Sequence, residues 1–193
     1  SALFGGFPEI KTFGNRLSQL LQNLSYDILI DNQSLSFGVL KLQNEIPIIE
    51  IVHHPITKDY KYDIKFSKGI VQKISKWRWF SFLKMQKKVA PFMKAISTPS
   101  INSKNDIVED FNVSKKKIIV IPNGIDHINF SPKKHINRNP EQLITTASAD
   151  VPLKGLDFTL KAIHSIKRDF PKIRLVIIGA PRPGGHTERL IQK

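Results

Sequence analysis

Six short runs rich in Ile, Leu and Val punctuate this chain, at 26–31, 47–52, 94–98, 118–121, 143–148 and 173–179. Between them, apolar residues return every three or four positions. Short β-rich runs alternating with helices give βαβ units and a parallel sheet, so the fold class is α/β. Ile10, Phe13, Leu17, Leu20, Leu21 and Leu24 mark a helix over 9–24, and Phe37, Leu40 and Leu42 a short one. One or two helices cross 64–93. Ser103, three residues before Asp106, reads as a capping box opening a helix over 104–111. Leu156, Leu160, Ile163, Ile166 and Phe170 mark a helix over 154–169. After the fourth strand, Asn123-Gly124 is a turn signal.

The chain has 193 residues, 40% of them hydrophobic, enough for one full domain or one and a partial second. Polar, proline-bracketed residues 132–142 read as a linker between a first domain over 1–131 and a second over 143–193. The second holds one strand–helix–strand unit, too little to bury a nucleotide-binding sheet, so it reads as the opening of a larger domain. Both ends are expected to be internal to a longer chain, and residues 1–193 alone are expected to show no turnover. No apolar run approaches the roughly 18 residues of a membrane-spanning helix. There is no cysteine, which excludes disulfides and thiolate metal sites. Among six histidines the only close pair is His53-His54, whose side chains point to opposite faces of an extended chain. Metal-ligand spacing is absent, and no metal or cofactor is expected.

The net charge of +14 is uneven: residues 58–94 carry eleven Lys or Arg against Asp59 and Asp63. Such a segment suits an anionic partner or is a solvated face. Ile74, Trp77 and Phe80 share helical spacing with Lys84 and Lys88, as in a membrane-interface helix; core packing of Trp77 and Phe80 under snorkelling lysines fits equally well.

In open parallel sheets, ligands bind at the carboxyl ends of strands. That rule selects Asp31, Asn32, Gln33, His53, His54, Asn123 and Gly124 in the first domain. In the second it selects Ser148 to Lys154 and the stretch from Gly179. The polar cluster 31–33 could hydrogen-bond sugar hydroxyls, or make an Asx turn into the next helix. Lys154-Gly155 sits at a helix start, where unpaired N–H groups and the macrodipole favour an anion such as phosphate. The plainer reading is a solvated lysine in a strand-to-helix turn.

Several segments occur together in order: Tyr-Asp-Ile-Leu-Ile-Asp-Asn-Gln (26–33), Ile-Val-His-His-Pro-Ile-Thr (51–57) and Ser-Lys-Asn-Asp-Ile-Val-Glu-Asp-Phe (103–111). Ile-Pro-Asn-Gly-Ile-Asp (121–126), Ala-Asp-Val-Pro-Leu-Lys-Gly-Leu (149–156) and Val-Ile-Ile-Gly-Ala-Pro-Arg-Pro-Gly-Gly (176–185) follow. In this the chain resembles a family 4 glycosyltransferase of the GT-B fold. The resemblance implies a partial Rossmann-like N-terminal domain and the first βαβ unit of a second, nucleotide-sugar-binding one, lining a cleft. It implies a cytoplasmic, bacterial enzyme that moves a hexose from a nucleotide-sugar donor to a sugar or lipid-linked acceptor. Transfer would occur with retention and without a catalytic metal, and segment 58–94 offers a peripheral contact with an anionic membrane.

The resemblance also assigns roles. One of His53 and His54 would reach the donor sugar, and Lys154 with Gly155 would hold the diphosphate. The arginine that usually assists that lysine is replaced at Ser148 or Ala149, leaving Ser148 a hydrogen bond and Arg182 as a substitute charge. A glycine-rich loop would precede residue 1, and a pair of glutamates seven residues apart would follow Lys193. Two other readings compete. A nucleotide-sugar epimerase of this fold needs acidic groups in the cleft, for which only Asp31 and Asp150 offer themselves. A nucleic-acid-binding α/β protein needs stacking platforms or a recognised motif, and the chain has none.

Overall fold

A computed structural model describes residues 6–21, 24–67, 69–133, 136–146, 154–179, 183 and 186–191. The chain divides into two compact units, Ser1–Ile125 and Asp126–Lys193. In the first, strands β1 (Leu29–Asn32), β2 (Ile48–Ile51), β3 (Ile96–Thr98) and β4 (Ile118–Val120) form one sheet in that order. All three neighbouring pairs are parallel, as the alternation of runs and helices requires. This is the expected Rossmann-like sheet. The strands are shorter than the apolar runs. Pairing of β1 begins only where Leu29 N donates to Pro47 O at 3.0 Å.

Helix α1 (Gly6–Leu21) precedes β1, and α2 (Phe37–Leu42), α3 (Thr57–Phe66), α4 (Gly69–Trp79), α5 (Leu83–Val89) and α6 (Ile101–Phe111) connect the strands. The core lies on one sheet face, where Ile48, Val52, Ile96 and Ile118 meet Val39, Met85, Val89, Ile107 and Phe111. Each such side chain contributes about 1.5–3 kcal/mol by leaving water. Strand alternation sends Ile30, Ile119 and Ile121 to the opposite face, where they are exposed.

Helices α1 and α2 cross at two glycines. A Cβ on Gly38 would lie 2.2 Å from the Gly14 carbonyl, and one on Gly14 would lie 2.1 Å from Ser36 Oγ. Helix α1 ends at Leu21, earlier than its apolar pattern, and leaves Phe13, Leu20 and Leu24 exposed while Ile10, Leu17 and Leu21 meet the core. Helix α6 opens one turn before the expected position. Ser100, extended at φ −148°, is its N-cap and accepts from Ser103 N at 3.0 Å, so Ser103 lies inside the helix.

The basic segment folds as α3, α4 and α5 with a short 3-10 turn over Phe80–Phe82. Phe80 is buried, its ring 5.3 Å from Tyr60 and 6.2 Å from Phe82. Trp77 departs from the core reading: it is half exposed, with Lys84 Nζ 5.4 Å above its ring. The physical reason is that α4 buries no residue at all.

The second unit contains β5 (Gln142–Thr145), α7 (Leu156–Ile166), β6 (Arg174–Ile177) and α8 (His186–Ile191), with β5 and β6 parallel. Helix α7 is shorter at both ends than the expected 154–169. Gly155, with left-handed φ 73°, is its N-cap, so Lys154 precedes the helix instead of opening it. At the other end Phe170, before Pro171, is disfavoured from helical geometry.

Candidate functional site

Strands β1 and β2 run side by side and end together, so the residues beyond Asn32 and Ile51 meet at one sheet edge. His53 Nε2 lies 2.9 Å from Asn32 Oδ1. Gln33 braces the same strand end with its side-chain amide. Its Oε1 accepts from His53 N and its Nε2 donates to His54 O, both at 3.0 Å. Beneath, Gln86 of α5 donates to Gln33 O at 3.1 Å. Asp31 Oδ2 accepts from Ser34 N at 3.1 Å and from Ser34 Oγ at 2.6 Å, the Asx turn that one reading of this cluster anticipated. The sequence cluster is thus a connected network that presents His53 at the surface.

The two histidines separate. His54 Nε2 turns toward α3 and lies 3.3 Å from Asp59 Oδ2. His53 stays with Asn32 at the strand ends. Both rings are exposed, as adjacent residues on opposite faces would be. Asn123 and Gly124 lie in an exposed stretch after β4 that makes no tight turn. The turn comes at 127–129 instead, closed by Asp126 Oδ1 accepting from Ile128 N and Asn129 N, both at 3.1 Å. Those bonds and the Asn129 side chain hold the Asp126 carboxyl below its ordinary range. Asparagine-glycine pairs favour turns only when the flanking strands fold back, and β4 does not.

One group in the network was not anticipated. Glu50 pairs with Asp31 across the β1–β2 register and is 0% exposed. Its carboxyl lies beside Asp31 and near the backbone of Leu35 and Gln33, yet neither oxygen completes a hydrogen bond of good geometry. Burial foremost, then the Asp31 side chain, pushes its pKa up to about 10, against a smaller opposing pull from the Leu35 and Gln33 backbone. Glu50 is therefore a neutral acid at physiological pH. The signal was an acid inside Ile-Ile-Glu-Ile-Val, where an amphipathic edge strand would place it on the solvent side.

In the second unit Lys154 is exposed, directly before the N-cap of α7, and pairs with no carboxylate among the described residues. Gly155 O accepts from Thr159 N at 3.1 Å, the first hydrogen bond of α7. Ser148, Ala149, Asp150 and Arg182 lie outside the described residues. Among the described residues, no three His, Asp or Glu cluster as a metal site would need, and no helix is long and apolar enough to cross a membrane.

A family model described as Glycosyltransferase Family 4 matches residues 2–128. The chain belongs to glycosyltransferase family 4. It is also 37% identical over 191 residues to the MMP alpha-(1->4)-mannosyltransferase of Mycolicibacterium hassiacum. That alignment takes in 96% of this chain and 45% of the relative, so the family 4 chain spans a little under half of the relative's length. The family match covers the strand-end network of the first unit, and the identity continues through the strand–helix–strand of the second.

Proposed function

We propose that this chain carries part of the site of a retaining glycosyltransferase that moves a hexose, with mannose as first candidate, from a nucleotide-sugar donor to a glycan or lipid-linked acceptor. The observation that carries the reading is the 37% identity to a mannosyltransferase, maintained over 191 residues and both compact units. On this reading His53, held by Asn32 and Gln33, contacts the reacting sugar. Asn32 and Gln33 are the nearest polar groups for sugar hydroxyls. Lys154 and the N-terminal end of the α7 dipole receive the diphosphate as it departs, which stabilises charge where it develops. The leaving phosphate takes the proton of the acceptor hydroxyl, and Lys154 with the α7 dipole offsets its charge in place of a metal. As partner we propose an anionic membrane surface for the segment 58–94, because α4 exposes Ile70, Val71, Ile74 and Trp77 beside Lys73, Lys84 and Lys87.

The test uses the active enzyme that contains this chain. Hexose transfer from nucleoside-diphosphate sugars should release nucleoside diphosphate and give a product with the donor's anomeric configuration. Lys154→Ala should slow transfer about a hundred- to a thousandfold, the loss of about 2.7–4 kcal/mol typical of one electrostatic donor. Thermal stability should stay nearly unchanged, because Lys154 is exposed. Transfer with inversion, or near-normal turnover in the variant, would contradict the reading.

A further inference from the structure

Within the strand-end network Glu50 leaves both side-chain oxygens without a partner, whereas Gln86 leaves only its Oε1 so. It sits on the core face of β2 with both oxygens buried, directly opposite Asp31 in register. Among the described residues, the elements packed on that face bring no compensating charge: on α1, Glu9, Lys11 and Arg16 are all exposed. From α2 the only charged residue is Lys41, which is exposed; α5 offers Lys84, Lys87 and Lys88, also exposed. On α6, Asp106 is paired with Lys58, Asp110 accepts from Thr57, Glu109 is exposed, and Lys104 donates to Ile118 O at 2.7 Å. A buried carboxyl without a cation or hydrogen bonds to balance it is costly, and an apolar residue would fill the site at lower cost. What Glu50 faces is the 33–35 turn, whose Gln33 side chain holds the His53 backbone.

That turn is strained. Gln33 and Leu35 both occupy the left-handed region, at φ 65° and 43°, which is disfavoured for non-glycine residues. Such conformations persist only where the surroundings over-determine them. Asp31 supplies the local constraint by capping Ser34, which lies between the two strained residues. We propose that Glu50 is a positioning residue: its carboxylic O–H turns onto Asp31, orients that side chain toward Ser34, and so locks the 33–35 turn in the one geometry that lets Gln33 clamp the His53-His54 backbone. Burial keeps Glu50 protonated for this role, since a second negative charge beside Asp31 would push the two strands' ends apart. The inference rests on the proposed transferase reading only for what His53 does; the positioning itself stands apart from it.

The experiment is therefore spectroscopic and uses the active enzyme that contains this chain. In the parent, the His53 amide, bonded to Gln33 Oε1, should be protected from hydrogen exchange. Glu50→Gln, which keeps a donor and the shape, should preserve that protection. Glu50→Leu should lower it at least tenfold, while the amides of Ile107 and Val39 in the core remain protected. Raising the pH through the ionisation of Glu50 should release the His53 amide in the parent beyond the ordinary base-catalysed rise, and should not do so in Glu50→Gln. Full protection in Glu50→Leu, or identical pH behaviour of parent and Glu50→Gln, overturns the proposal. If Glu50→Leu does not fold, the pH comparison of parent and Glu50→Gln decides alone. If the amide results hold and the active enzyme still fails to transfer a hexose, only the transferase reading falls.

Discussion

At the scale of single residues, two adjacent histidines have different surroundings. His53 is fixed by Asn32 on one side and by the Gln33 clamp on its own backbone, which leaves its ring set at the carboxyl ends of the strands. His54 is turned to Asp59 on the next helix, an exposed pair whose contribution to stability is about 0–1 kcal/mol. The sequence could offer only the pair, because either ring could follow a strand end. The asymmetry depends on Gln33 and Asp59 reaching them from outside the dipeptide. In the active enzyme, His53→Ala should lower kcat/KM about a hundredfold, the loss of one aligned polar contact in the transition state. His54→Ala should lower it by less than tenfold. Steady-state kinetics of the two variants compares them directly, and a larger loss in His54→Ala would move the reacting sugar to the α3 side.

Among the elements, the α1–α2 crossing and α4 carry opposite lessons. The apolar spacing of α1 and α2 was legible, but their approach was not, because Gly14 and Gly38 show no hydrophobic signal and act by lacking a side chain. Gly38→Ala would set a methyl 2.2 Å from backbone atoms of α1, which cannot yield as a flexible side chain could. The helices would have to separate, at a cost of about 1–3 kcal/mol or more, read as a lower urea midpoint with an unchanged m-value. Helix α4 was legible as a helix but not as an exposed one, since its Ile and Trp residues look like core in one dimension. It buries no residue and exposes Ile70, Val71, Ile74 and Trp77, as the proposed membrane contact requires. The triple variant Lys84→Glu, Lys87→Glu, Lys88→Glu should weaken adsorption to phosphatidylserine-containing vesicles by a few kcal/mol, at about 1 kcal/mol per lysine near the surface. Adsorption that survives the reversal, or that is absent in low salt, would make the segment a solvated face.

At the scale of the whole molecule, parallel order was readable because each strand–helix alternation admits one sheet type, and the four strands stand in sequence order. The candidate site was legible as a place, the carboxyl edge, but not as a network, because Glu50 and Gln86 join it from positions 17 and 53 residues away from Gln33. The buried acid also leaves a signature in the stability of the entire fold. Its pKa in the folded chain is raised to about 10 from 4.5, so between these values the native state holds a proton that the unfolded chain releases. The contribution of Glu50 is thus fully present below about pH 4.5 and is lost as pH rises toward 10, with a slope of up to about 1.4 kcal/mol per pH unit. The net charge of +14 adds its own dependence, since repulsion among the cations changes with the state of every other acid. That background is common to the parent and Glu50→Gln and cancels in their difference, because glutamine is neutral at every pH. Denaturant titrations of both proteins from pH 5 to pH 9 should therefore diverge: near equal stability at pH 5, and a growing advantage for Glu50→Gln as the pH rises. Parallel curves would mean that Glu50 is ionised in the folded chain and that water reaches the carboxyl pair.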